Sequence, residues 1–371
     1  MRLRPAPLED WLREAYFTAD IDISSSGVHS YSMAELRNLT ALRHEDLDRM
    51  VFDDGYSLGA PAVRAAVARH VGAITPDRVM TTSGSGEALS LVMSALLEAG
   101  DEVVVVRPGY HLLVDYATAL GCTLKDWHLD PEQGWQPSLD ELSGLVSERT
   151  KAIIVNFPQN PTGATVTENQ LHCIVDLARK ADAWLLWDGA FRDLTYDTPP
   201  LPDVTTLYER AVSFGSFSKA FGLPGLRFGW CVAPPGLLTD CVHIRDYTTL
   251  HVSPLNELLA QAVLENASSF IQPRLEQAHA NRALLLDWAA AHSDMVELTA
   301  PAGGVCAFPR LIDVPDVDAF CDALFKKHGV LVIPGSCFDS PRHIRVGFGG
   351  RTDQLADGLE RLTDALKEAR R

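Results

Sequence analysis

Between about residues 75 and 270, short wholly apolar runs alternate with stretches in which apolar side chains recur every three or four positions. The first kind predicts strands buried on both faces and the second predicts helices laid over them. Together they predict a mostly parallel sheet flanked by helices. Strands are expected at 103–106, 152–155, 184–187, 211–214 and 226–232, with helices at 85–98, 138–147 and 168–180. Beyond Ser253-Pro254 a long helical stretch runs to about residue 292, interrupted by Pro273. A second alternation follows: strands near 304–311 and 331–333, a helix at 317–328, a strand at 343–348 and a last helix from Asp353. The expected fold class is therefore α/β. A large domain over 46–270 carries the mostly parallel sheet, and a smaller α+β domain is formed by 1–45 and 271–371. No repeat, low-complexity tract or disordered linker interrupts the pattern.

Composition narrows the function without choosing it. The chain has 371 residues, 46% of them hydrophobic and 22% charged, as in an ordinary globular enzyme. A net charge of −17 would repel nucleic acid and anionic membrane surfaces, so neither is expected as a partner, and any anionic ligand must be held by local donors. No apolar run approaches a membrane span, and no signal-like apolar segment follows the basic residues at the start, so a cytoplasmic location is expected. The seven cysteines show no C-x-x-C pair and read as reduced structural thiols. The histidines lack ligand spacing, so no metal site is expected.

The chemistry begins at Ser216-Phe-Ser-Lys-Ala-Phe-Gly-Leu-Pro-Gly-Leu-Arg-Phe-Gly-Trp230. Lys219 is flanked by apolar segments, and such surroundings lower a lysine pKa by disfavouring the ammonium, leaving an amine able to attack an aldehyde. Ser216, Ser218 and Arg227 supply donors for a dianion. An aldehyde and a phosphate on one cofactor is pyridoxal 5′-phosphate. Elsewhere, Ser85 and Gly86 open a helix after a glycine turn, where free backbone N–H groups face an anion; a plain capping turn is the alternative. Tyr110 follows a buried strand and is placed either to stack on an aromatic ring or to fill the core. Asn160, in Asn156-Phe-Pro-Gln-Asn-Pro-Thr-Gly163, follows another strand on a backbone held extended by its X-Pro steps. Asp188 ends a third, and a buried carboxylate there needs a cationic partner such as a pyridinium nitrogen.

The pattern S-x-S-K-x-x-G-x-x-G-x-R-x-G resembles the fold-type I pyridoxal-phosphate enzymes, the class I/II aminotransferase family. That resemblance implies that the Ser85-Gly86 turn, Ser216, Ser218 and Arg227 surround the phosphate. It implies further that Lys219 bonds the cofactor, Tyr110 stacks on its ring, Asn160 binds its phenolate oxygen and Asp188 its ring nitrogen. Arg345, on a strand near the C-terminus, would fork to a substrate carboxylate. It also implies a homodimer. Two positions depart from the family pattern. Phe191 stands where a tyrosine is common, which removes a donor to the phenolate oxygen. Asp54 stands where another tyrosine is common, with Tyr56 out of register.

Pro7-Leu-Glu-Asp-Trp-Leu-Arg-Glu14, Asp22-Ile-Ser-Ser-Ser-Gly-Val-His29, Trp187-Asp-Gly-Ala-Phe191 and Leu223-Pro-Gly-Leu-Arg-Phe-Gly-Trp-Cys231 are similar to the arginine cyclases that form capreomycidine and streptolidine. This implies a β-hydroxylated arginine substrate, with Ser25 and Gly27 near it. His29 is a candidate to exchange a proton with the guanidine or the leaving hydroxyl; a histidine that only packs is the alternative. Asp22 and Asp54 are candidate partners of the guanidinium. The rival activity is a conventional aminotransferase. A serine acyl-transfer reading of S-x-x-K fails for want of a K-T-G, and a regulator would need a DNA-binding segment.

Overall fold

The computed structural model describes residues 2–370, the side chain of Glu14 excepted. At its centre lies a seven-stranded sheet in the spatial order Val79–Thr82, Gly229–Val232, Ala211–Ser216, Trp184–Asp188, Thr150–Asn156, Glu102–Arg107 and Thr123–His128. Gly229–Val232 runs antiparallel to both its neighbours, and the other pairings are parallel. All five expected strands are present. The expectation at 226–232 begins too early, because Pro224–Leu226 is a 3-10 turn before the strand starts at Gly229.

Period-two alternation places successive side chains on opposite faces of the sheet. Val103, Val105, Ile154, Leu186 and Val212 pack on one side with Leu89, Val92 and Met93 of the Ser85–Leu96 helix. Val104, Val106, Ile153, Val155 and Leu185 pack on the other with Leu171, Ile174 and Val175 of the Glu168–Lys180 helix. Because both faces are covered, these strands must be apolar throughout, which is why they were legible.

The terminal segments pair with one another. Ile21–Asp22 pairs in parallel with Val330–Leu331, and Ile344–Gly347 pairs antiparallel with both Cys306–Ala307 and Ile333–Pro334. Helices Val317–His328 and Thr352–Ala369 pack around these strands. One expectation needs correction here. The long helical stretch breaks at Asn266, between Pro254–Glu265 and Ala267–Ala291, and not at Pro273, which lies inside the second helix. Proline removes one hydrogen bond without ending a helix held by packing on both sides of it, and buried Phe270, Ile271, Ala278 and Leu285 supply that packing. The expected boundary at 270 therefore falls within a helix. No helix among the described residues is long and apolar enough to cross a membrane.

Candidate active site

Three neighbouring parallel strands end in the side chains that begin the site. Asn156 and Asp188 are register partners at the carboxyl ends of their strands, and Ser216 closes the next one along. This is the edge of an α/β sheet where ligands gather. A cavity of about 420 Å³ opens above it, and its lining draws on residues from Leu8 to Arg345.

Lys219 stands in this cavity, its Nζ donating to Ser26 Oγ at 2.7 Å and lying 5.4 Å from the centre of the Phe191 ring. Burial among apolar groups lowers its pKa to about 8, so the amine is substantially neutral in mildly alkaline water. Asp188 faces the same cavity. Its Oδ1 accepts the Ala190 N–H at 3.0 Å, yet burial still raises its pKa to about 6, since one backbone donor does not replace a lost hydration shell. A cation beside it would restore the charged form.

Asn160 and Arg345 are held together. Arg345 Nη1 donates to Asn160 Oδ1 at 3.0 Å and Nη2 donates to the Ser24 carbonyl at 2.9 Å. The first bond turns the Asn160 amide so that its Nδ2 is left as the free donor. The second leaves the buried Arg345 with unused N–H groups, and its Nε has no partner. Tyr110 lines the wall, directly before the His111–Leu120 helix, with its phenol kept protonated by burial.

The opposite requirement, room for an anion, is met by glycine. Gly84 caps the Ser85–Leu96 helix at φ 86° and ψ 163°, with no side chain bonded to the first-turn N–H groups. A Cβ there would lie 2.6 Å from Arg227 Nη2, and a Cβ on Gly229 would lie 2.5 Å from Ser85 N. Arg227 is held by a 3.3 Å bond from Nη1 to Ser218 Oγ, while Ser216 Oγ accepts the Ser218 N–H at 3.1 Å. Helix N–H groups, two serines and a guanidinium thus converge on one side of the cavity, a donor set suited to a phosphate dianion.

The structure therefore brings together Ser85, Gly86, Tyr110, Asn160, Asp188, Ser216, Ser218, Lys219, Arg227 and Arg345, with Ser25 and Gly27 on the same lining. His29 is not brought there. Val28 and Ser30 line the cavity, but His29 lies among Arg274, Arg351 and Glu35, where burial and the two arginines lower its pKa. Asp22 is also elsewhere, accepting the Ser24 N–H and O–H at 2.7 and 2.6 Å. Asp54 is exposed and meets His251 at 3.4 Å. The two X-Pro steps of the Asn160 loop are cis, not simply extended as expected, and so is Arg107-Pro108. Ser26 and Glu9 were missed. Ser26 was hidden in a Ser-Ser-Ser-Gly run with no local signal for its partner 193 residues along the chain, and Glu9, which lines the same cavity, in an amphipathic helix.

Comparisons with known proteins agree with this geometry. A family model described as aminotransferase class I and II matches residues 38–362. Capreomycidine synthase of Streptomyces vinaceus is 48% identical over 366 residues, covering 98% of this chain and 94% of that protein. A solved structure described as PLP-dependent cyclase OrfR superposes with a TM-score of 0.94 at 40% identity, covering 99% of this chain and 98% of the other. A PLP-dependent aminotransferase from Streptococcus suis gives the same TM-score at 29% identity, covering 99% of both chains.

Proposed function

The chain belongs to the class I and II aminotransferase family, and on that premise we propose that it is a pyridoxal-phosphate-dependent arginine cyclase acting in antibiotic biosynthesis. Its substrate is a β-hydroxylated arginine, 3-hydroxyarginine or 3,4-dihydroxyarginine, and its product a cyclic guanidino amino acid of the capreomycidine type. The observation that carries this reading is the 48% identity to capreomycidine synthase across nearly the whole of both chains. The cofactor fits the residues present: a neutral amine at Lys219, an under-paired buried carboxylate at Asp188, a free amide at Asn160 and a glycine-cleared anion cradle.

Bound pyridoxal phosphate supplies a sink for the electron pair released at the substrate Cα. Asp188 would hold the proton on the ring nitrogen that makes the sink effective, and Arg345 would fork to the α-carboxylate through its unused N–H groups. Lys219, directed by Ser26, takes the Cα proton. The same ammonium is then an acid within the cavity for the departing β-hydroxyl, which leaves as water. A guanidine nitrogen bonds to Cβ, and the proton it gives up returns through Lys219 to Cα. Atoms balance as the loss of one water with every nitrogen kept. Tethering the nucleophile to the electrophile is worth an effective concentration of ~10⁵ M or more.

The exposed surface supports a second copy of the chain as a partner. Val51, Phe52, Tyr56, Tyr247 and Leu250 are exposed, and the His251–Asp54 contact brings their two segments together. Such an apolar patch on a soluble enzyme marks an interface, and a homodimer is the reading it supports.

The test is incubation of the cofactor-loaded protein with 3-hydroxyarginine, and separately with 4-hydroxyarginine, without a keto acid. Dehydrated product from the first and none from the second is expected. Turnover that requires a keto acid makes the enzyme an ordinary aminotransferase.

A further inference from the structure

A cyclase of this kind must recognise the cationic end of its substrate, and a guanidinium remains charged at any ordinary pH. Once Arg227 is given to a phosphate and Arg345 to a carboxylate, the lining must still supply an anion. Among the described residues, the carboxylates on it are Asp188 and Glu9. Asp188 sits at the sheet edge among the groups suited to the cofactor.

Glu9 lies in the first turn of the Pro7–Ala15 helix, and that helix is pinned to the body. Trp11 Nε1 donates to the Val332 carbonyl at 2.9 Å, Leu8 is buried, and just upstream Arg4 pairs with Asp115 at 2.7 Å. The cavity wall here is thus a fixed element, built from Leu8, Glu9, Leu12 and Tyr16. Glu9 has no ion pair or hydrogen bond with any described residue. Its charge nevertheless reaches the site, since it favours the protonated forms of Lys219, Tyr110 and His111. Glu9 is exposed, so water solvates it when no ligand is bound, and as the lining carboxylate left after Asp188 it is placed to receive a cation.

We propose that Glu9 is the substrate-specificity residue of this enzyme, accepting hydrogen bonds from the substrate guanidinium while Arg345 holds the other end. The apolar stem of the substrate then lies against Leu8 and Leu12. This assignment rests on the cyclase reading for its substrate, but it concerns binding and is tested separately from turnover.

The experiment is a titration of the cofactor-loaded wild-type enzyme and its Glu9→Gln and Glu9→Asp variants with L-arginine and with L-citrulline, the neutral isostere. Binding is read from the cofactor's absorption. One charge-assisted hydrogen-bonded contact predicts that wild type prefers arginine by roughly tenfold or more. Glu9→Gln should bring the preference to within about twofold, with citrulline affinity unchanged, and Glu9→Asp should keep part of it. A Glu9→Gln variant that retains the wild-type preference overturns the assignment, as does an equal loss of affinity for both ligands. A wild-type enzyme with no preference overturns it too. In that case the wild-type product from 3-hydroxyarginine shows whether the cyclase reading falls with it.

Discussion

The chemistry of this protein is set by what a few side chains lose on burial. Lys219 has a pKa near 8 because burial leaves its ammonium poorly solvated and the Arg345 guanidinium opposes its charge. A lower pKa means the neutral amine appears earlier as pH rises. In cofactor-free protein, trinitrobenzenesulfonate labelling of Lys219, followed by peptide mass mapping, should therefore have its midpoint near pH 8. A midpoint at the ordinary lysine value of about 10.4 would refute the buried-amine account. Phe191 makes a second residue-scale prediction. Phe191→Tyr adds a phenol donor to this wall, and a donor to the cofactor's phenolate oxygen favours its anionic form. The pH midpoint of the holoenzyme's visible absorption should then fall by roughly one unit. An unchanged midpoint would mean the added hydroxyl does not reach that oxygen. Lys219, Asp188 and Asn160 were legible because each sits in a local motif at the end of an apolar strand. Ser26 and Glu9 were not, because their places on the cavity wall come from segments that the fold brings together from far along the chain. His29 shows the converse: its neighbours in sequence face the cavity and its own ring does not.

At the scale of elements, glycine decides where the anion side of the site can form. Gly84 holds a backbone conformation that is essentially closed to other residues, and its missing Cβ makes room for Arg227. Gly84→Ala should cost about 1–3 kcal/mol of stability. It should also weaken pyridoxal-phosphate binding by roughly tenfold or more through displacement of Arg227. Thermal melting of the cofactor-free protein and cofactor titration separate the two effects. Normal affinity in the variant would place the anion elsewhere. The central strands could be read from sequence because a strand covered on both faces must be apolar throughout. Thr123–His128 could not be: as the edge strand it carries polar residues at four of its six positions and is only partly buried. The break at Asn266 was likewise unreadable, since packing outweighs the local preference that made Pro273 the expected stop.

In the whole molecule, strands from the two ends of the chain pair with one another, and the large sheet is covered on both faces. Ile21–Asp22 beside Val330–Leu331 carries the Ser24–Gly27 segment to the cavity, so Arg345, Ser26 and Lys219 meet there. The apolar patch at Val51, Phe52 and Tyr247 belongs to this scale as well. Phe52→Asp should turn a sedimenting dimer into monomer, or weaken it by at least tenfold, because a carboxylate is buried without a partner. Wild-type protein that sediments as a monomer would remove the dimer from the account. The cyclisation itself is tested most directly by the mass of the product formed from 3-hydroxyarginine in deuterated water without a keto acid. Proton return to Cα through Lys219 predicts a dehydrated product that keeps every nitrogen and carries a single non-exchangeable deuterium. A product that has lost its α-amine, formed only when a keto acid is supplied, would contradict the account.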